Sequence, residues 1–366
     1  MRRPILVVAD CHIGNTGPFP GPTIAGLNSR CRQALGALAQ VSQVAKRRGA
    51  RDAISLGDFF DSARPEPAVI RAAQIALQRS GLRWHMLVGN HEQRTKREPG
   101  DNSLAPLAPV VESIADGAPR IVPLAELGVS FVVGSTSEEI LGAIGSNPDR
   151  GPWYAFHAGI WDARHPAYMR ETSAVSFEAI RELGIHALAG DWHEHLVFGE
   201  GAEKRAFRLG RIGNGHAVQV GSLLPRGFGE LGIERGVALL LVGDESFEVV
   251  PAPGPRFLRI ELDELGASVE LDEVRSWGVY LEIEASTPEE RDRAASALAA
   301  AEKAWPTRIL GWRVRSIARA EGEVARVRRG ETAEEAIAAF VRSSPEITAP
   351  RDEVLAHALG RFRVKR

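Results

Sequence analysis

The sequence predicts a large α/β fold followed by a small α+β module, and three observations carry this prediction. Short apolar runs alternate with segments of helical periodicity, as in a sheet whose strands and helices alternate along the chain. Several of these runs end directly in Asp, Asn or His, which places polar side chains at strand ends. A Pro-rich break at 251–255 (PAPGP) then precedes a shorter series of strands and one helix.

Length and charge limit the classes of function. A chain of 366 residues exceeds what one hydrophobic core usually serves, which favours more than one domain. The net charge of −2 provides no overall basic field, so a nucleic-acid partner would need local basic patches or a metal centre. Two cysteines cannot build a disulfide framework, which favours a cytoplasmic protein. The N-terminal apolar run is too short for a signal peptide, and no apolar segment approaches the length of a membrane span.

The first part of the chain contains the clearest units of strand, polar motif and helix. Each predicted strand leads into a motif: 5–9 into Asp10 and His12, 53–56 into GDFFD at 57–61, and 84–88 into GNHEQ at 89–93. Apolar spacing predicts helices at 28–48 and 67–80, and Gly and Pro predict a loop at 13–26. An extended chain at Asp10 and His12 would point both side chains to one face of the sheet.

The later part of the chain continues the same pattern. Strands are predicted at 129–133, 153–156, 187–189 and 236–242, and a helix at 175–183. His157 follows one of these strands, GDWHEH at 190–195 follows another, and Val218 and Val220 lead into GSLLPRGFGE at 221–230. Strands at 257–262, 278–284 and 311–317 with a helix at 288–303 predict the α+β module, and two short helices are predicted within 331–366.

Seven residues at the strand ends offer oxygen or nitrogen donor atoms, and none offers a thiolate. They are Asp10, His12, Asp58, Asn90, His157, His193 and His195. Such donors suit Mn, Fe or Zn. Seven are too many for one tetrahedral zinc, but they suit two octahedral metals that share a carboxylate. Two metals about 3.5–4 Å apart can activate water and stabilise the attacking and leaving oxygens of a displacement at phosphorus. The sequence therefore predicts a two-metal site for phosphate chemistry.

The order of these motifs resembles a known family. DxH, GDxxD, GNH[D/E], a lone His after a strand and a final HxH are similar to the motifs of the calcineurin-like metallophosphoesterases. GDFFDSARPEP at 57–67 and VGSLLPRGFGE at 220–230 resemble segments of the SbcD family of DNA-repair nucleases within that superfamily. The resemblance implies a β-sandwich flanked by helices, in α-β-β-α layers. It places this nuclease domain at 1–250, a small α+β capping domain at 256–320 and an ATPase-docking segment of C-terminal helices at 331–366.

Carried over to these positions, the resemblance implies a role for each motif residue. One divalent metal would be held by Asp10, His12 and His195 and a second by Asn90, His157 and His193, with Asp58 bridging them. His91 would orient the phosphate and assist the leaving oxygen, and Asp61 would fix or polarise His91. Mn²⁺ is the metal that the resemblance favours, with Fe²⁺ or Zn²⁺ as alternatives.

The sequence departs from the family pattern at two positions. Glu92 stands where Asp is commoner after GNH, and we expect it to serve the loop and not the metals. Trp192 in GDWHEH stands where Gly is usual, although both histidines of the motif keep their register.

Basic residues near the motifs are candidates for DNA contact: Arg64, Arg94, Lys96, Arg97 and Arg226. Contacts of this kind would make binding strongly dependent on salt. The basic C-terminus RFRVKR either touches DNA or is a solvated tail, and the tail interpretation is favoured.

The resemblance implies a metal-dependent nuclease, an exonuclease or endonuclease of double-strand break repair or recombination. The partners would be DNA, a second copy of the chain in a homodimer, and an SbcC-type ABC ATPase whose coiled-coil base binds the tail. The apolar stripe at 332–344 either docks on that ATPase or packs on its own domain. Two other functions stay open. A phosphoesterase for a small nucleotide or lipid-linked diphosphate would share every metal ligand, and a scaffold subunit would mainly bind DNA or the ATPase.

Overall fold

The computed structural model describes most of the chain up to residue 316. The described residues are 3–316 apart from 16, 18, 94–99, 148–152, 164, 166–173, 200–209, 212–214, 232–236 and 242–245, together with 338, 341 and 355. The predictions for Arg94, Lys96 and Arg97, for the basic C-terminus and for nearly all of 331–366 lie outside them. None of the helices within this described part is long and apolar enough to cross a membrane.

The larger sheet is mixed, with parallel strands at its centre. With strands numbered along the chain, its spatial order is β12 (Gly210–Arg211), β15 (Ser246–Pro251), β14 (Val237–Leu241), β1 (Ile5–Val8), β2 (Asp52–Leu56), β3 (Arg83–Leu87) and β4 (Ser113–Ala115). β1 to β4 run parallel, whereas β14 pairs with β1 in the opposite direction. Ile5 pairs with Asp52, and Asp52 pairs with Arg83. The carboxyl ends of β1, β2 and β3 therefore lie level at one edge.

The second sheet also has a parallel centre with antiparallel edges. Its spatial order is β11 (Leu196–Phe198), β13 (Ala217–Gln219), β10 (His186–Ala189), β7 (Trp153–Phe156), β6 (Val129–Val133) and β5 (Arg120–Leu124). β11 and β5 are the antiparallel edge strands. His157 directly follows β7, and Gly190 directly follows β10. A separate parallel pair consists of β8 (Ile160–Trp161) and β9 (Val175–Ser176).

Three buried clusters show that the two sheets are stacked between helices. The central cluster joins inward side chains of both sheets, such as Val7 and Leu56 with Phe131 and Leu188. The helices that cover the outer faces are α1 (Ser29–Arg47), α2 (Pro67–Ser80), α3 (Ser137–Gly145) and α4 (Phe177–Leu183). One outer cluster packs α1 and α2 on the larger sheet, and the other packs α3 and α4 on the second sheet. The predicted α-β-β-α layers are confirmed.

A third sheet lies in residues 256–316, which we call the C-terminal module. Its parallel strands are β16 (Arg256–Arg259), β17 (Val279–Ala285) and β18 (Ile309–Ser316), and its helices are α5 (Leu265–Ser268), α6 (Asp272–Trp277) and α7 (Pro288–Ala304). One face of the sheet packs on helices around Leu281 and Leu298. Phe257 and Tyr280 on the opposite face pack against Phe228. The elements fit the predicted α+β module, and the boundary at 251–255 stays a prediction.

Two predicted elements are shortened in the structure by a neighbouring element. The helix predicted at 175–183 begins only at Phe177, because Val175 and Ser176 pair with β8. The strand predicted at 257–262 ends at Arg259, because a 3₁₀ turn follows at Leu262–Glu264. Two further 3₁₀ turns lie at Ala105–Val110 and Phe228–Glu230.

Candidate metal centre

The motif loops leave the strands through left-handed turns. β1 ends at Val8, and φ is +48° at Asp10, +44° at His12 and +48° at Asp58. The expectation of an extended chain at Asp10 and His12 is therefore wrong. Both side chains nevertheless meet, because ligand atoms of Asp10, His12 and His193 lie within 4.8 Å of one another. Left-handed backbone in such residues costs about 1–3 kcal/mol each and is concentrated at functional sites.

Glycine before Asp58 and before Asn90 allows the motif loops to approach closely. A Cβ on Gly89 would lie 2.2 Å from Asp58 Oδ1, and a Cβ on Gly57 would lie 2.4 Å from His157 Nδ1. No side chain fits at such distances. The glycines of GD and GN are thus required by the packing of carboxylate against imidazole.

Asp58 lies at the centre of the cluster. The side chain is buried, with Oδ1 3.3 Å from His157 Nε2 and Oδ2 3.8 Å from His91 Nε2 and 3.9 Å from His12 Nε2. The backbone N–H of His91 donates to Oδ1 at 2.9 Å. Burial alone would raise the pKa of Asp58, but His157 and His12 hold it below its usual range. An ionised carboxylate therefore stands among three imidazoles, which is the position required of a shared ligand.

His157 presents one ring nitrogen to a cluster of acceptors. The Nδ1–H donates to Leu56 O at 2.7 Å, which assigns the tautomer and leaves Nε2 facing Asn90 Oδ1 at 2.8 Å and Asp58 Oδ1. Three lone pairs can converge there only around a proton on Nε2 or around a metal ion. Burial would lower the pKa of His157, but Asp58 and Asp10 raise it to about 10, so an added proton occupies this place when no metal does.

His12 and His193 also direct their Nε2 atoms at each other. The two Nε2 atoms are 3.1 Å apart. His193 Nδ1 lies 2.7 Å from Glu230 Oε1, and His12 Nδ1 lies 3.0 Å from Asp61 Oδ1 in a bent contact. A carboxylate beside Nδ1 favours the proton on that nitrogen of each ring, which leaves the two Nε2 lone pairs facing one another. Such an arrangement calls for a cation between them.

The buried Asp10 and the 35% exposed Asp191 add carboxylates beside these rings. Burial raises the pKa of Asp10 to about 7, although His157 and His193 oppose the shift. The backbone N–H of Asp191 donates to Asp10 Oδ2 at 3.1 Å, and Asp191 Oδ1 lies 3.8 Å from His157 Nε2. Burial also raises the pKa of Asp191. Asp191 was not among the predicted site residues, although it stands within GDWHEH.

The donor set fits divalent metal ions. The carboxylates, imidazoles and one amide supply only oxygen and nitrogen, and their converging lone pairs lack a cation. Three groups have ligand atoms within 4.8 Å: Asp10, His12 and His193; Asp10, Asp58 and His157; His12, Asp61 and His91. His195 lies outside these groups, and its Nδ1 is 3.2 Å from Val220 O. His193 thus groups with Asp10 and His12, and the predicted division of ligands between two metals stays a prediction.

The comparisons agree with this geometry. Residues 3–158, less than half of the chain, match the family model of the calcineurin-like phosphoesterases. This part of the chain is therefore similar to the calcineurin-like phosphoesterases. The family typically binds two divalent metals and hydrolyses phosphoesters, which the clustered donors fit. A search of curated proteins found no match to the chain.

His91 is held by the backbone of Asp61. The Nδ1–H donates to the backbone carbonyl of Asp61 at 2.8 Å and not to its carboxylate. The Asp61 carboxylate instead contacts His12 Nδ1 and accepts from Arg226 Nη2 at 2.8 Å. Asp61 therefore orients two histidines, one through the backbone and one through the side chain.

Glu92 connects the motif loops through hydrogen bonds. The side chain is fully buried, and it accepts from the backbone N–H groups of Asp58 (3.0 Å), Phe60 (2.7 Å) and Gly89 (2.7 Å). Burial raises the pKa of Glu92 to about 8, which the amide donors of Phe60 and Gly89 oppose. The expectation that Glu92 serves the loop is confirmed.

Removing this carboxylate should destabilise the fold. In Glu92→Ala three buried N–H groups lose their acceptor, and each unsatisfied group costs about 1–3 kcal/mol. We expect the free energy of unfolding to fall by about 3 kcal/mol or more, measured by urea denaturation. Glu112→Ala removes an exposed carboxylate and should change it by less than about 0.5 kcal/mol. Equal stability of both variants would contradict the structural role of Glu92.

Trp192 is accommodated by a glycine on the neighbouring loop. A Cβ on Gly159 would lie 2.1 Å from the indole ring, and the ring of His165 lies 5.3 Å from it. The Trp that departs from the family pattern therefore has a packing partner suited to it.

The described DNA-contact candidates differ in their surroundings. Arg64 is exposed. Arg226 is partly buried and its guanidinium is engaged by Asp61. The role of both in DNA contact stays a prediction.

Proposed function

We propose that the chain is a nuclease subunit of the SbcD type, which hydrolyses DNA phosphodiesters with two divalent metals, Mn²⁺ first among them. The observation that carries this proposal is the position of GSLLPRGFGE. This stretch resembles a signature of the SbcD family, and two of its side chains reach the metal centre. Glu230 contacts His193, and Arg226 contacts Asp61.

The exposure of the site supports a macromolecular substrate. Asn90 is exposed, and the His91 side chain is 31% exposed. The side of the centre formed by the GNHEQ loop is thus open to solvent, where a phosphate within a long backbone can approach.

The residues of the chain divide the chemistry between them. When bound, two divalent metals supply an activated water and stabilise charge on the phosphate oxygens. Asp58 holds the centre together. His91 keeps its Nδ1–H on Asp61 O, so its Nε2, which lies 3.8 Å from Asp58 Oδ2, is the nitrogen available to give a proton to the leaving oxygen.

A nuclease assay tests the proposal. The purified chain is incubated with Mn²⁺ and a linear duplex, a DNA hairpin, a nucleotide or a lipid-linked diphosphate, with and without a coiled-coil ABC ATPase of the same source. We expect metal-dependent cleavage of DNA. Hydrolysis of only the small substrates would replace the proposal with the small-molecule phosphoesterase. No hydrolysis of any of them would favour the scaffold function.

The same proposal includes an ATPase partner bound through residues 331–366. A chain that lacks these residues should lose the ATPase in co-purification and keep its Mn²⁺-dependent cleavage of DNA, because the metal centre lies in other segments. Undiminished complex formation by the truncated chain would contradict this docking role. Light scattering of the full chain tests the proposed homodimer.

A further inference from the structure

The segment from Pro225 to Glu230, which we call the brace, closes a ring of contacts around the metal centre. Glu230 Oε1 lies 2.7 Å from His193 Nδ1, and Glu230 Oε2 accepts from the backbone N–H of Arg226 at 2.8 Å. The Arg226 guanidinium donates to Asp61 Oδ1 at 2.8 Å, and Asp61 Oδ1 lies 3.0 Å from His12 Nδ1. The two Nε2 atoms of His12 and His193, 3.1 Å apart, complete the ring.

The ring controls which nitrogen of each histidine faces the centre. A carboxylate at Nδ1 keeps the proton there and leaves Nε2 as the lone pair available for a metal. Partners of this kind fix the tautomer and the orientation of ligating histidines and raise their basicity. Four of the five side chains in the ring are 15–33% exposed and His12 is 3% exposed, so water competes only in part for these contacts.

Phe228, in the middle of the brace, is anchored in the C-terminal module. The side chain is buried, its ring lies 5.1 Å from that of Phe257, and the Arg313 guanidinium lies 4.7 Å above it. At the start of the brace, Arg30 of α1 donates to the carbonyl of Pro225. On either side of Phe228, Glu230 contacts His193 and Arg226 reaches His12 through Asp61, so the brace joins the module to the metal centre.

We propose that Glu230 and Arg226 are positioning residues that set the Nε2 atoms of His193 and His12 toward the metals, and that Phe228 makes the C-terminal module part of this positioning. The inference rests on the two-metal centre of the proposed function, but not on DNA as the substrate. Neither residue touches the substrate in this account. Displacement of the module would therefore alter the metal centre through the brace.

Three variants separate positioning from general stability. Glu230→Gln keeps an oxygen acceptor for His193 Nδ1–H and should retain the tautomer. Glu230→Ala removes both contacts of the carboxylate. Phe228→Ala keeps every polar group of the ring and removes only its anchor. The controls are Glu182→Ala, which removes an exposed carboxylate of α4, and Trp312→Ala, which removes an aromatic that contacts Glu302 within the module.

The first readout is the tautomer of His193 in the metal-free protein, measured by ¹H–¹⁵N correlation of the imidazole nitrogens at a pH where the ring is neutral. The second is Mn²⁺ affinity by calorimetry. We expect an Nδ1–H tautomer in the wild type and in Glu230→Gln, and mixed tautomers in Glu230→Ala. Mn²⁺ affinity should fall about 10–100-fold in Glu230→Ala. Phe228→Ala should show a smaller loss in the same direction, and both controls should match the wild type.

The outcomes test the positioning role of the brace and the existence of the metal centre separately. A wild-type chain without Mn²⁺ binding overturns the metal centre, whereas the tautomer in the metal-free protein still tests the brace. Wild-type tautomer and affinity in Glu230→Ala overturn the positioning role. If Phe228→Ala matches the wild type while Glu230→Ala does not, the link to the C-terminal module is wrong. Loss of affinity in Trp312→Ala equal to that in Phe228→Ala would assign the effect to stability of the module and overturn the same link.

Discussion

Replacing Asp58 with Asn is expected to abolish phosphoester hydrolysis and nearly all binding of divalent metal. Asp58 is the ionised group that stands between His12, His91 and His157. An amide of the same shape can still accept from the His91 N–H, so the fold should persist while the central charge is lost. Loss of a partner outside the ligand set already costs about 10–100-fold in affinity or activity, and loss of a shared ligand should exceed this.

The measurement compares initial rates and calorimetric Mn²⁺ titrations of Asp58→Asn with those of the wild type. Asp116→Asn is the matched control, because Asp116 lines the same pocket as His157 but its carboxylate accepts from Gly100 N and Asn102 Nδ2. The control should retain wild-type rates. Activity of Asp58→Asn within a few-fold of the wild type would refute the central role of this carboxylate.

Replacing the neighbours Asn90 and His91 with Ala is expected to affect different properties, metal affinity for Asn90 and reaction rate for His91. Asn90 Oδ1 points into the acceptor cluster at His157 Nε2, so Asn90→Ala should weaken metal binding about 10–100-fold. His91 is fixed through Nδ1 and its side chain is 31% exposed, so His91→Ala should keep its metals and lose about 10²–10⁴ in rate.

Calorimetry and single-turnover rates at saturating Mn²⁺ separate these effects. Excess metal should restore much of the rate of Asn90→Ala and none of the rate of His91→Ala. Equal loss of metal affinity in both variants would contradict these separate roles of Asn90 and His91.

The central strands were predictable because a strand buried on both faces appears in the sequence as a continuous apolar run. The apolar run VSFVV is β6 at the predicted bounds, and the runs before Asp10 and Asp58 are β1 and β2 to within one residue. Edge strands lack such runs. β5 (RIVPL) carries Arg120 and Pro123 at exposed positions, and only its pairing with β6 makes it a strand.

Helix α3 was missed although its start carries a local signal. Thr136 and Glu139 form a reciprocal capping box at its N-terminus, a pattern that the sequence displays. The helix has only nine residues, Ser137–Gly145, which leaves little apolar periodicity to detect. Capping chemistry would have found what periodicity could not.

The donor residues of the site were predictable, but the contacts that orient them were not. Strand ends and motif order pointed to Asp10, Asp58 and His157 without any contact being known. That Glu230 faces His193 across 37 positions, or that Asp61 holds His91 by its carbonyl, depends on tertiary packing. A motif shows which residues belong together and not which atom of each is used.

Crystals of the full chain soaked with Mn²⁺ and measured by anomalous diffraction test the central claim most directly. The account predicts two anomalous peaks about 3.5–4 Å apart, with Asp58 between them and the Nε2 atoms of His12, His157 and His193 directed at them. A single peak, or peaks away from these residues, would contradict a two-metal centre at the ends of these strands.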